Sequence, residues 1–99
     1  MAYRAFAKPD KNQAKIVEEL RELGFQVDDV HSVRGLGYDI VVTGRIYGGD
    51  VIATLRVEVK SIGGRLTDAE KKYHSESLYR QTLIIAYCTD DVLDWYGRV

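Results

Sequence analysis

Residues 51–60, Val-Ile-Ala-Thr-Leu-Arg-Val-Glu-Val-Lys, constrain this chain more than any other stretch. In an extended strand successive side chains point to opposite faces. Val51, Ala53, Leu55, Val57 and Val59 therefore form an apolar face, while Thr54, Arg56, Glu58 and Lys60 share the other. A strand with one apolar face needs a sheet, and the sheet needs helices to cover it. The flanking segments supply both. Pro9 and Asp10 read as a helix start, and Ile16, Val17, Leu20 and Leu23 recur at helical spacing up to Gly24. Residues 25–31 read as a strand of mixed polarity, followed by the turn Arg34-Gly35-Leu36-Gly37 and the short apolar run Tyr38-Asp39-Ile40-Val41-Val42. Residues 43–50, with Gly44, Gly48 and Gly49, turn the chain into the long strand as a hairpin.

After a Gly-Gly loop at 61–65, Thr67-Asp68-Ala69-Glu70 is a capping box that starts a second helix reaching about Leu78. Residues 81–88 read as a last buried strand, and Thr89 as the cap of a short terminal turn with Asp90, Val92, Leu93 and Trp95. The expected order is helix, three strands, helix, strand, short helix. This is an α/β chain with a mixed sheet covered by the first and second helices, organised as one domain over 1–99.

Composition agrees with that reading and bounds the function. With 99 residues, 45% of them hydrophobic and 29% charged, one compact domain with one core is expected. The apolar run 83–88 is far too short to cross a bilayer and Met-Ala-Tyr-Arg lacks a signal-peptide core, so a cytoplasmic protein without a membrane partner is expected. Cys88 is the one cysteine, which rules out an intrachain disulfide and a cysteine-based zinc site, and its strand-like setting predicts a buried thiol. A net charge of −1 gives no global attraction for nucleic acid. The distribution is uneven, however: 1–16 and 54–74 are net basic, 17–53 and 75–99 net acidic, so a positive groove requires the fold to join the basic segments.

Glu58 and Lys60 point the same way, which by itself describes a solvated strand face. Asp39 adds to this, because it opens an apolar strand directly after a Gly-rich turn, where a lone carboxylate needs a partner, a turn amide to cap, or a metal. If the two strands are hairpin neighbours, Asp39 faces the far end of the second, near Glu58. Two carboxylates and a lysine then converge, an arrangement suited to Mg²⁺, which takes one or two carboxylate oxygens plus water and substrate phosphate. Arg56, Arg65, Lys71 and Lys72 cluster around these residues in sequence and suit either phosphate contact or plain solubility. His74 reads as a surface or interface histidine, and Tyr73 as packing rather than base stacking. Gln13, three and four residues before Ile16 and Val17, lies on the apolar helix face toward the sheet.

Asp39 followed by Glu58-Val59-Lys60 resembles the D…ExK core of PD-(D/E)XK nucleases, in the family's usual order after a helix and a hairpin. Asn12-Gln13 with Ile16, Leu20 and Gly24, together with residues 66–74, is similar to small phage and bacterial VRR-NUC-type nucleases, over nearly the whole chain. Archaeal Holliday-junction resolvases are similar in their helix, Asp and ExK plan. The chain departs from these patterns at Tyr38, often proline, at Glu70, often glutamine in the small phage members, and at Gln13, a glutamate in the resolvases.

The resemblance implies a restriction-endonuclease-like αβββαβ core. It implies that Asp39, Glu58 and the Val59 carbonyl hold Mg²⁺ or Mn²⁺, that Lys60 orients the attacking water, and that Gln13 positions the water or hydrogen-bonds a carboxylate ligand. The reaction would be endonucleolytic hydrolysis of DNA, branched or junction DNA included, leaving a 5′-phosphate; RNA is the other polymer open to this chemistry, and no small-molecule cofactor is needed. A homodimer is expected, with Trp95, Tyr96 and the Tyr47 hairpin as exposed candidates for its surface. Two other readings stand beside this one: a nucleic-acid-binding or assembly module that keeps the fold without chemistry, which Gln13 favours, and an unrelated α/β interaction domain in which Glu58 and Lys60 form a structural ion pair.

Overall fold

In the computed structural model, residues 11–32 and 37–98 are described. They form α1 (Lys11–Glu22), β1 (Gln26–Asp29), β2 (Ile40–Arg45), β3 (Ile52–Val59), α2 (Asp68–Glu76), β4 (Leu83–Ala86) and α3 (Thr89–Trp95), with 3-10 turns at Ile46–Gly48 and Arg80–Thr82. The expected helix start at Pro9-Asp10 and the turn residues Arg34, Gly35 and Leu36 lie outside the described residues. One four-stranded sheet runs in the order β1-β2-β3-β4. The first three strands form an antiparallel meander and β4 joins β3 in parallel. A parallel neighbour requires a crossover connection, and α2 lies within it. The protein is thus α/β, with a mixed sheet flanked by helices.

The alternation along β3 sets the layers. Leu55, Val57 and Val59 are buried, Ala53 is half-buried, and their face is covered by Ile16, Val17 and Leu20 of α1 and by Val92 and Tyr96 at α3. Val51, expected on that face, precedes the strand and is 66% exposed. Leu23 likewise falls off the expected stripe, 48% exposed, because α1 ends at Glu22 and the chain turns so that the Phe25 amide donates back to the Leu20 carbonyl. The opposite face of β3 carries α2. That helix buries no residue of its own, and its Tyr73 hydroxyl accepts a hydrogen bond from the Arg56 guanidinium of β3. Among the described residues the sheet is therefore covered on one face by α1 and α3 and on the other by α2.

Four expectations near the C-terminal end are corrected. Tyr96 is fully buried, not exposed: its ring packs on Phe25 and Trp95, and its hydroxyl lies 3.0 Å from the Val42 carbonyl oxygen and 2.8 Å from that of Ala53. Trp95 is also partly buried, its indole nitrogen donating to the Gln81 carbonyl, whereas Tyr47 is 80% exposed as expected. Cys88 is exposed, since β4 ends at Ala86 and Cys88 occupies the cap position before α3. Thr89 does not cap α3; it is the first helical residue, and its hydroxyl donates to the Glu19 carboxylate, tying α3 to α1. Among the described residues no helix is long and apolar enough to cross a membrane.

Candidate active site

The β2–β3 register decides where Asp39 sits. Ile40 pairs with Val57, so Asp39, one step before β2, stands opposite Glu58. The Asp39 amide donates to the Val57 carbonyl at 2.8 Å, and the Asp39 carbonyl accepts from the Val30 amide at 2.8 Å. Strand β3 continues beyond the start of β2, and the amide of Val59, which has no β2 partner to meet, donates instead to Asp39 Oδ2 at 2.8 Å. Along a strand, the amide and carbonyl of one residue point to the same edge. The Val59 carbonyl therefore faces the β2 side, beside Asp39, while Lys60 faces β4. Consistent with this, the Lys60 amide donates to the Ala86 carbonyl and the Lys60 carbonyl accepts from Asn12 Nδ2 at 3.0 Å.

Glu58 is 3% exposed on the polar face of β3. Lys60 Nζ lies 3.5 Å from Glu58 Oε2 and 3.0 Å from Glu70 Oε1. Glu70 comes from the first turn of α2, where the capping box forms as the sequence predicts: the Thr67 amide donates to Glu70 Oε1 and the Glu70 amide to Thr67 Oγ1. Burial, followed by the negative charges of Asp39 and Glu70, pushes the Glu58 carboxyl up to about 8, with Lys60 only partly opposing. Burial also raises Asp39, against the Val59 amide and a hydrogen bond with Glu58. Glu70 is held below its usual value because the Thr67 amide and Lys60 outweigh its burial. Lys60 is raised, its burial outweighed by Glu70 and Glu58. Glu58 and Asp39, both raised, thus favour sharing a proton, beside the Glu70 carboxylate and the Lys60 ammonium.

Gln13 is 1% exposed on the sheet side of α1, as its spacing predicts. Its amide does not bond Asp39 or Glu58; Nε2 donates to Asp29 Oδ1 at 3.1 Å. The same Asp29 oxygen accepts from the His31 amide at 3.2 Å and lies 2.6 Å from His31 Nδ1. A carboxylate only accepts, so the NH₂ end of Gln13 must face Asp29. Its carbonyl oxygen is then turned away, and it is buried with no donor, as is the side-chain oxygen of Asn12.

The basic residues separate into two groups. Arg56 is engaged within the protein: its guanidinium donates to the Tyr73 hydroxyl at 3.2 Å and the Tyr79 carbonyl at 2.7 Å, and lies over the Tyr38 ring. Arg65, Lys71 and Lys72 are exposed. Tyr73 packs against Tyr38, as expected, and closes on Gly37, where a Cβ would come within 2.3 Å of the ring. His74 is half-buried and its Nε2 lies 2.6 Å from the Gly37 carbonyl oxygen, to which it donates. Tyr73 and His74 together hold the chain immediately before Asp39.

Glu70, Asp29 and Asn12 are the neighbours that sequence reasoning missed. Glu70 carried a usable signal, because a capping-box glutamate reaches back toward the N-cap, and here the N-cap follows the loop leaving Lys60.

Among the described residues no three Asp, Glu, His or Cys side chains converge as a ready-made metal cage. The donors present are oxygens: the Asp39 and Glu58 carboxylates and the Val59 carbonyl. Hard divalent ions accept such a partial set, with water and phosphate completing it. The residues therefore fit Mg²⁺ or Mn²⁺. Compared with known proteins, the chain matches no family model, no curated protein and no solved structure.

Proposed function

We propose that this chain is a PD-(D/E)XK-type nuclease that hydrolyses DNA phosphodiester bonds with Mg²⁺ or Mn²⁺, on an αβββαβ core of the restriction-endonuclease kind. The observation that carries the reading is the meeting of the Asp39 and Glu58 carboxyls at the overhanging end of β3, with Lys60 beside them. Asp39, Glu58 and the Val59 carbonyl would hold the ion. When bound, it supplies Lewis acidity, lowering the pKa of water and stabilising charge on the phosphate.

The chain's own groups do the rest. Lys60 places a positive charge beside Glu58 and offers donors to orient the attacking water. Glu70 is a positioning residue, fixing the Lys60 ammonium from the α2 side. Exposed Arg65, Lys71 and Lys72 are free to meet phosphates of the flanking strand, whereas Arg56 is occupied in holding Tyr73 and Tyr79.

A panel of labelled duplex, flap and branched DNAs, incubated with Mg²⁺ or Mn²⁺ and with EDTA, tests the reading. Ion-dependent cleavage leaving 5′-phosphates is expected, with loss of cleavage in Glu58→Gln and Asp39→Asn. Folded wild-type protein that leaves every DNA intact with both ions overturns it. The Lys60 contacts with Glu58 and Glu70 favour a second reading, a structural ion-pair network in an α/β interaction domain. Absence of both cleavage and nucleic-acid binding supports that reading, while salt-sensitive binding without cleavage supports a binding module.

A further inference from the structure

Beyond Lys60 the loop over residues 61–65 and the segment after β4 border a shallow, open groove of about 600 Å³. Ile62, Gly63, Gly64 and Arg65 form one wall, and Tyr87 and Asp91 the other. Its volume lies in the range of sites that take small organic groups. Ile62 is 93% exposed and Tyr87 39% exposed, so two apolar surfaces face water there. The groove adjoins Lys60 at its main chain. Asn12 Nδ2 donates both to the Lys60 carbonyl, at 3.0 Å, and to the Tyr87 carbonyl, at 2.9 Å, and a Cβ on Gly64 would lie 3.6 Å from Lys60 Cβ.

We infer that this groove receives an unpaired nucleobase of the strand being cut, stacked on Tyr87, with Arg65 taking the adjoining phosphate. The inference rests on the nuclease reading for its place in the reaction. A phosphodiester at Lys60 has a nucleoside on each side, and the groove lies on one of them. A duplex presents phosphates and base edges to a protein, whereas an aromatic ring face is useful only to a base that has left the stack. The glycines at 63 and 64 leave the loop wall bare of side chains beside Ile62 and across from Tyr87. Asp91 is tied to the same wall, its Oδ2 accepting the Tyr87 amide at 2.8 Å. The substrate class that follows is nucleic acid with a single-stranded segment at the cut: a flap, a fork or a frayed end.

Fluorescence anisotropy with a labelled short oligothymidylate and with a blunt duplex, in EDTA and low salt, reads binding apart from cleavage. Wild-type protein should favour the single strand. Tyr87→Leu should lose about 5- to 100-fold of the single-strand affinity, and Tyr87→Phe should retain it. The Tyr87 backbone bonds do not involve the ring, and a thermal melt of each variant confirms folding. Equal single-strand binding by wild type and Tyr87→Leu overturns the inference, as does failure of wild type to bind the single strand. So does concentration-dependent self-association abolished by Ile62→Asp, which would make the groove an interface between copies. Metal-dependent cleavage of duplex with no Tyr87 effect on binding removes the groove and leaves the nuclease. Tyr87-dependent single-strand binding without cleavage does the reverse.

Discussion

Replacing Glu58 by Gln should make the metal-free protein more stable at alkaline pH while abolishing its response to divalent ions. Burial and the charges of Asp39 and Glu70 raise the Glu58 carboxyl from 4.5 to about 8. A raised value in the folded state means that folded protein binds more protons than unfolded protein, so the stability it confers is complete below pH 4.5 and is lost as pH rises through about 8. At about 1.4 kcal/mol per pH unit the ceiling is about 5 kcal/mol. Asp39 shares the proton, and its value is raised as well; the expected loss between pH 5 and 9 is about 2–4 kcal/mol. The neighbouring groups fall outside this window. Glu70, which is lowered from 4.5, acts in acid, and Lys60, raised from 10.5, in strong alkali. A glutamine amide at 58 reproduces the neutral carboxyl, donating toward Asp39 and accepting from Lys60, so the variant should keep its low-pH stability up to pH 9. Urea unfolding in EDTA at each pH measures this, and repeating it with Mn²⁺ at pH 8–9 should restore wild type alone. A wild-type stability that does not change from pH 5 to 9, or a Glu58→Gln profile falling in parallel with it, would refute the argument.

Gly37→Ala should cost about 1–3 kcal/mol, because its Cβ would overlap the Tyr73 ring on α2, and an unchanged urea midpoint would refute that contact. Tyr96→Phe removes the hydroxyl shared by the Val42 and Ala53 carbonyls and should lower stability by about 1–2 kcal/mol, read by thermal or urea unfolding. Gln13→Ala removes the bond to Asp29 and should lower stability by about 1–2 kcal/mol, and an unchanged urea midpoint would refute that contact. Gln13→Glu sets a carboxylate against Asp29 and should destabilise the protein above pH 5 by about 1–2 kcal/mol, measured by urea unfolding in EDTA.

The β-strand periodicity of 51–60 made Leu55, Val57 and Val59 legible as core and put Glu58 and Lys60 on one face, because a period of two leaves no freedom once the strand is recognised. Asp39 was legible through the hairpin, whose register follows from its turn. Val51 and Leu23 were misread for a shared reason: each continues a pattern past the point where the chain leaves its element, and periodicity does not reveal where hydrogen bonding stops. Tyr96 lies just past a short helix, and only the tertiary packing of α3 beside Phe25 turns that aromatic inward. Glu70 had an adequate local explanation as a helix cap, which concealed its second contact with Lys60. The bond from Gln13 to Asp29 joins α1 to β1, and nothing in either segment's own pattern announces it.

The amide of Val59 reaches Asp39 Oδ2, so the carboxylate at the overhanging strand end is also a splint for the backbone. One oxygen is turned toward the chain, leaving Oδ1 as the atom to offer outward. A carboxylate held in this way favours one-oxygen coordination. Small ions with near-octahedral shells accept that readily, whereas Ca²⁺ gathers six to eight oxygens and often takes carboxylates through both. In the proposed ion site, that main-chain hydrogen bond would favour small ions over large ones. For the proposed ion, calcium should compete poorly with magnesium at this carboxylate.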